Sequence, residues 1–330
     1  YNESRKDRLN MKKHFAFTMA EILLSLTIIG VVAAITLPSL TGNINERTWN
    51  TQRKALYARM SQAISLMPAL NGYGTITEES SSGAGDAVDT AAETFVTAGL
   101  AKVLKINNIC DSEHLEDCGI TQSITTLKGT SMSFPNTMQT FNSLMVGSYS
   151  TAYSARINLL DTKAAAFETA NGESIAVFYN PQCETDMAET VMHYAQSKMC
   201  ANFVYDLNGT KGPNTVGKDI GFITALYSTD PVIVAPMPLL QVASNSKQHL
   251  EASKTCTEFD KESRLPNRDE LSALFYNKAF LGNMTGEDYY WSGSIVAKSD
   301  SNAAWAQYFN SGIRNTVSRN GGYMVHCIKR

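Results

Sequence analysis

The chain is short of charge. Lys, Arg, Asp and Glu make up 18% of its 330 residues, the formal net charge is -3 and the pI is near 6.0. A chain so poor in positive charge has no general means of binding a phosphate backbone, and nucleic acid is not expected as a partner. Histidine is scarce as well: His14, His114, His193, His249 and His326 are scattered without the spacing of a metal site. There is no G-x-S-x-G elbow, no G-x-G-x-x-G, no phosphate loop and no H-E-x-x-H, so the common hydrolase, dinucleotide, nucleotide and zinc-protease chemistries are set aside. No catalytic residue, no enzyme activity and no organic cofactor are expected. What the chain does have is apolar content, 43%, enough to bury a core and to exclude disorder as a description of the whole.

The charges that are present follow a gradient. Residues 1–16 carry five Lys/Arg against two Asp/Glu, whereas 71–250 carry nine against eighteen. That order suits a chain whose start stays cytoplasmic while the rest is exported. After the basic start, 22–38 reads ILLSLTIIGVVAAITLP, an uncharged run that reaches bilayer-spanning length when 17–20 are added. Glu21 sits at its edge, and a carboxylate there needs either a partner or the lipid interface. Beyond Pro38, the residues Trp49, Leu56, Met60, Ile64 and Met67 recur at helical spacing, so 17–70 is expected to be one long helix, first hydrophobic and then amphipathic.

Met11-Lys12-Lys13-His14-Phe15-Ala16 followed by Phe17-Thr18-Met19-Ala20-Glu21 resembles the prepilin signal of type IV pilins and type II secretion pseudopilins. The resemblance implies cleavage by a prepilin peptidase between Ala16 and Phe17, N-methylation of Phe17, and retention of the helix. Counted from Phe17, Glu21 is fifth and Pro38 twenty-second, as in that family, which makes both candidate assembly residues. Ala16 departs from the family's Gly, and 1–10 precede a Met that would itself start a leader of normal length. The implied partners are other pilin or pseudopilin subunits, with the inner membrane as a single-pass location before assembly and the filament or periplasm afterwards.

In the middle of the chain, 75–91 reads as a small polar loop and 71–235 as a globular head. Six cysteines on an exported chain favour disulfides, although six allow fifteen pairings. Locality favours Cys110 with Cys118 and Cys183 with Cys200; His114 midway between the first two leaves zinc as the alternative there. The run 203–220, FVYDLNGTKGPNTVGKDI, places Asp206, Asn208, Asn214 and Asp219 among Gly209, Gly212, Pro213 and Gly217. Oxygen side chains on a loop able to bend suit calcium, and Asp206, Asn208 and Asp219 are the candidate ligands. A turn built from Asx hydrogen bonds is the plainer reading of the same residues.

Residues 236–250 form an expected linker to a C-terminal domain, 251–330. There Asn267 and Glu270 have the spacing of a capping box, and short strand-like runs follow from 289 onward. Cys256, Arg264-Leu265-Pro266, Asp269-Glu270-Leu271, Tyr290-Trp291-Ser292, Ala304-Trp305, Phe309 and Cys327 together resemble the C-type-lectin-like C-terminal domain of collagen-like bacterial adhesins. The resemblance implies a Cys256–Cys327 disulfide. Ser263 stands where that family has Trp, and the triplets of the calcium-dependent sugar site are missing, so lectin activity of that kind is not implied. Candidate contacts for an extracellular ligand, a glycan or a sulfated polymer, are Trp291, Trp305, Tyr308, Arg314, Arg319 and Tyr323, with both tryptophans equally readable as core.

The expected fold class is therefore α+β: a long N-terminal pilin helix, a small β-containing head and a C-type-lectin-like α+β domain. The function expected is that of a minor, tip-located type IV pilin-like subunit presenting an adhesive domain. The alternative is a secretion pseudopilin whose C-terminal domain contacts cargo or the secretion machinery.

Overall fold

The computed structural model describes residues 19–71, 90–137, 163–179, 199–226, 232–234, 246–282, 288–296, 302–309, 312 and 314–329. The expected processing site at Ala16 and Phe17, the leader 1–16, Cys183 and most of the linker 236–250 lie outside them, as does the side chain of Pro38. The chain divides into two compact units, 1–48 and 49–330.

Helix α1 covers Met19–Asn71. Its apolar side chains in the first unit, from Met19 to Val32, are exposed. Among the described residues no helix is long and apolar enough to cross a membrane. Glu21 lies within the apolar stretch that opens α1, where a carboxylate is costly in hydrocarbon. This overturns three expectations. The expected fold class gives way to a fold of antiparallel sheets and mostly short helices beside α1, and among the described residues neither a transmembrane helix nor a single-pass inner-membrane location is supported.

The second unit is organised by one sheet. Strands β1 (Ile106–Cys110), β4 (Ala165–Thr169), β5 (Ser174–Tyr179), β6 (Met199–Asp206), β7 (Ile220–Leu226) and β8 (Val232–Val234) pair antiparallel in that order, while β2 (Ser123–Thr125) and β3 (Ser131–Ser133) form a separate ribbon. Every residue of β5, β6 and β7 is buried. Alternate side chains point to opposite faces, so full burial requires a cover on each side.

One cover comes from α1 and the helical turns at 91–102. Leu56, Met60, Ala63, Ile64 and Met67 pack there with Phe95, Val96, Phe167, Val177, Tyr179 and Phe203. Phe95 stacks on Tyr179 with ring centres 4.3 Å apart. The helix is pinned at its polar flank by Arg59, whose Nη2 donates to Glu173 Oε1 at 2.5 Å, and by Arg53, which donates to the carbonyls of Gly217 and Lys218.

The other cover is the C-terminal part of the chain. It contains α3 (His249–Phe259), β9 (Ser263–Arg264), α4 (Arg268–Tyr276), the short α5 (Lys278–Leu281), the three-stranded sheet β10 (Tyr289–Ile295), β11 (Ala303–Tyr308) and β12 (Arg314–Ser318), and β13 (Ile328–Lys329) paired with β9; the turn Ala91–Thr94 is α2. Leu271, Leu274, Phe275, Phe280, Tyr290 and Phe309 share a core with Ala166, Ala176, Phe178, Val204 and Phe222 of the large sheet. Residues 251–330 thus fall in the same compact unit as the head.

Helix α4 starts where its sequence says it should. Asn267 accepts from the backbone N–H of Asp269 and Glu270, and Glu270 accepts in return from the Asn267 N–H, completing the capping box. Arg264 then grips the same Glu270 through both terminal nitrogens at 2.7 Å, which also pushes the guanidinium pKa up.

One polar cluster crosses the shared core. Asn202 on β6 and Asn277 at the end of α4 exchange amide hydrogen bonds of 2.9 and 3.0 Å, and Thr224 on β7 donates to Asn202 at 2.7 Å. All three are fully buried. Asn277→Ala strands the Asn202 amide in an apolar setting and should lower stability by about 2 kcal/mol in urea unfolding. Tryptophan fluorescence, which reports the C-terminal part and Trp49, and far-UV circular dichroism should move together; separated transitions would show that the two faces of the sheet lose their covers independently.

Candidate functional site

The C-terminal sheet carries most of the candidate ligand contacts. Its inner face is closed by a disulfide between Cys256 on α3 and Cys327 beside β13, with the cysteines 71 positions apart. Around it pack Ala252, Leu265, Trp291, Ala304, Ala306 and Val325.

Trp291 belongs to this core. It is 0% exposed, donates from Nε1 to the Lys247 carbonyl at 2.7 Å and meets His249 and Tyr323 edge-on at 5.0 and 4.8 Å. Arg314 is also largely withdrawn, 8% exposed and bonded to Asp269 at 3.2 Å; burial lowers its pKa. These two positions therefore offer a ligand almost nothing, because the strand alternation turns one into the core and α4 covers the other.

Trp305, Tyr308, Arg319 and Tyr323 remain half-exposed. Trp305 lies under the Arg268 guanidinium at 4.9 Å, and Tyr308 stacks on Tyr289 at 4.8 Å. Arg268 and Tyr289 carried no signal in the sequence; Arg268 looked like an ordinary first-turn residue of a helix, and only the register of β11 against α4 brings it to Trp305.

The second candidate region is the loop between β6 and β7. Asp219 is its hub: the carboxylate accepts from the N–H groups of Asn214 and Thr215, both at 2.8 Å, and the Asp219 carbonyl accepts from Leu207. Asp206 Oδ1 accepts from the Asn208 N–H at 3.0 Å, and Asn208 Nδ2 donates to the Gly212 carbonyl at 2.7 Å. These are the Asx turns of the plainer sequence reading. Asn214 holds φ at 49°, a left-handed conformation tolerated by Asn. The turns leave oxygens over. Asp206 Oδ2, Asn208 Oδ1 and Asn214 Oδ1 are buried and accept no hydrogen bond among the described residues, and neither does Thr121 Oγ1 nearby. A buried acceptor left in that state costs about 1–3 kcal/mol. Burial, together with the charge of Asp219, raises the Asp206 pKa to about 7.

The other cysteines fall into place simply. Cys110 and Cys118 form a disulfide, so His114 between them has no thiolates to share a metal with and instead pairs with Asp111 at 2.8 Å. That contact raises the His114 pKa and lowers that of Asp111. Cys200 is disulfide-bonded.

A scan against protein-family models and a search of curated proteins return no match for this chain.

His326, beside Cys327, is 7% exposed, and burial drives its pKa down to about 4. The unfolded imidazole titrates near ~6.5, so below that pH the unfolded chain takes up a proton that the folded one refuses, and the stability contributed by the neutral ring is lost as pH falls toward 4. Asp206 has the opposite sign over much of the same window, since a carboxyl with a raised pKa favours the folded state at lower pH. The informative quantity is therefore the difference between wild type and His326→Gln. That difference should shift against wild type by up to ~1.4 kcal/mol per pH unit between about 6.5 and 4. Parallel stability curves would refute the buried neutral histidine.

Proposed function

We propose that the chain is a pilin-like filament subunit that holds like subunits through its N-terminal helix and offers the surface around Trp305 to an extracellular ligand. The observation that carries this reading is the exposure of Leu23, Leu24, Leu26, Ile28, Ile29, Val31 and Val32, each between 53% and 64%. Neighbouring residues on a helix project about 100° apart, so this segment is apolar on every side. A helix of that kind needs covering all round, and a bundle of like helices in a filament does so. The prepilin-like residues ahead of it support the same reading. Cleavage before Phe17 would leave an ammonium four positions from Glu21, within reach of the carboxylate of the same or a neighbouring helix.

The body supports a binding role through its surface chemistry. An indole packed against a guanidinium offers a sugar ring a stacking face, and Arg268 supplies positive charge for a sulfate or carboxylate beside it. A disulfide-closed sheet with a packed inner face is a rigid base for such a site.

Filaments sheared from cells and analysed by intact mass spectrometry should contain a chain starting at methylated Phe17. Leu23→Lys should reduce incorporation at least ~10-fold while leaving the melting temperature of the folded body unchanged. Equal recovery of wild type and variant in the filament fraction would overturn the proposal.

A further inference from the structure

We infer that the C-terminal sheet has a second binding face, opposite the one that carries Trp305, on which Tyr289, Tyr308 and Tyr323 form a stacking platform for an uncharged chain of pyranose sugars. The inference stands apart from the filament reading and from the surface around Trp305. It starts from register. Partners across an antiparallel ladder share a face, and neighbours along a strand alternate. Tyr289 pairs with Tyr308, Trp291 with Ala306 and Ala306 with Asn315, so these lie on one face; Trp305 pairs with Thr316 and Gln307 with Arg314 on the other. Trp305 and Tyr308, on one strand, therefore point to opposite sides of the sheet.

The two faces differ in chemistry. On the Trp305 side α4 and β12 bring charge, with Arg268 over the indole and Arg314 bonded to Asp269. The paired residues of the tyrosine side include no acidic or basic side chain. Part of that side is closed by α3, whose Ala252 and Cys256 share a buried core with Trp291, Ala304 and Ala306. At the margin of that core Tyr289, Tyr308 and Tyr323 are half-exposed.

The rings are held in place before any ligand arrives. Tyr308 stacks on Tyr289 at 4.8 Å, and Tyr323 meets Tyr289 edge-on at 5.6 Å and Trp291 at 4.8 Å. The Tyr323 backbone is bonded in both directions to Lys247, at 3.0 and 3.1 Å. Asn315 Nδ2 donates to the Tyr289 hydroxyl at 3.1 Å, which orients that ring and leaves the hydroxyl proton for an acceptor outside the protein. A pyranose ring has an apolar face rimmed by hydroxyls, and it matches a row of phenols with both a ring face and an O–H to offer. Side chains already fixed lose little freedom on binding. A sulfate or carboxylate would meet no cation on this face, so the ligand class here is the neutral one.

The test presents the full chain to immobilised neutral gluco-, manno- and galacto-oligosaccharides and to the same oligosaccharides sulfated, and measures the tightest neutral one by calorimetry. A neutral oligosaccharide should bind and should not be displaced by its sulfated counterpart. Tyr308→Ala should weaken that binding at least ~10-fold, and Tyr308→Trp, which restores a ring, should keep it. Tyr289→Phe removes only a hydroxyl and should cost about 3-fold, so the result does not hang on the folding of an alanine variant. Failure of every neutral oligosaccharide, displacement by the sulfated form, or wild-type affinity in both Tyr308→Ala and Tyr289→Phe would each overturn the inference. Self-association of the chain that Tyr308→Ala abolishes would overturn it too, in favour of a contact between copies. Binding of sulfated oligosaccharides alone would remove this face and leave the Trp305 surface standing, so the two readings fail separately.

Discussion

Everything in the second unit depends on a sheet that is wet on neither face. Once β5, β6 and β7 are apolar on both sides, each face must find a cover, and the chain supplies one from its N-terminal side and one from its C-terminal side. Apolar packing alone would tolerate sliding of these layers. The buried triad of Asn202, Thr224 and Asn277 does not, because its hydrogen bonds close only in one register. The layers are glued by hydrophobic burial, and the C-terminal cover is indexed on the sheet by three polar side chains.

The same arrangement explains why the surface around Trp305 and the oxygen-rich loop are distinct. The loop between β6 and β7 is held mainly by its own Asx turns, made by residues close in sequence, with Arg53 of α1 a distant residue bonded to its carbonyls. The surface around Trp305 is the opposite case: Arg268 comes from a helix start, Trp305 from the middle of a strand, and their meeting depends on the packing of α4 against the three-stranded sheet.

That contrast also marks what could be read in advance. Local rules were legible: the Asn267–Glu270 capping box, the short-range Cys110–Cys118 bridge, and the Asx-rich character of 206–219 all follow from residues a few positions apart. The fate of single residues in the C-terminal sheet was not, since the alternation that buries Trp291 and withdraws Arg314 depends on which face α4 covers. Asn202 and Asn277 carried no signal at all, because 75 positions separate them and neither lies in a motif. Hydropathy of the run after Glu21 predicts a membrane span, whereas among the described residues no helix is long and apolar enough to cross a membrane.

The Cys256–Cys327 bridge bears on force. The surface around Trp305 lies within the stretch that the bridge encloses, 71 positions long. Drawn out, that much chain would extend ~240 Å at about 3.4 Å per residue. With the covalent shortcut in place, a pull between Cys256 and Trp305 runs along two covalent paths instead of one, directly through the intervening chain and back from Cys327. The shorter path through the bridge caps how far the enclosed strands can be drawn apart.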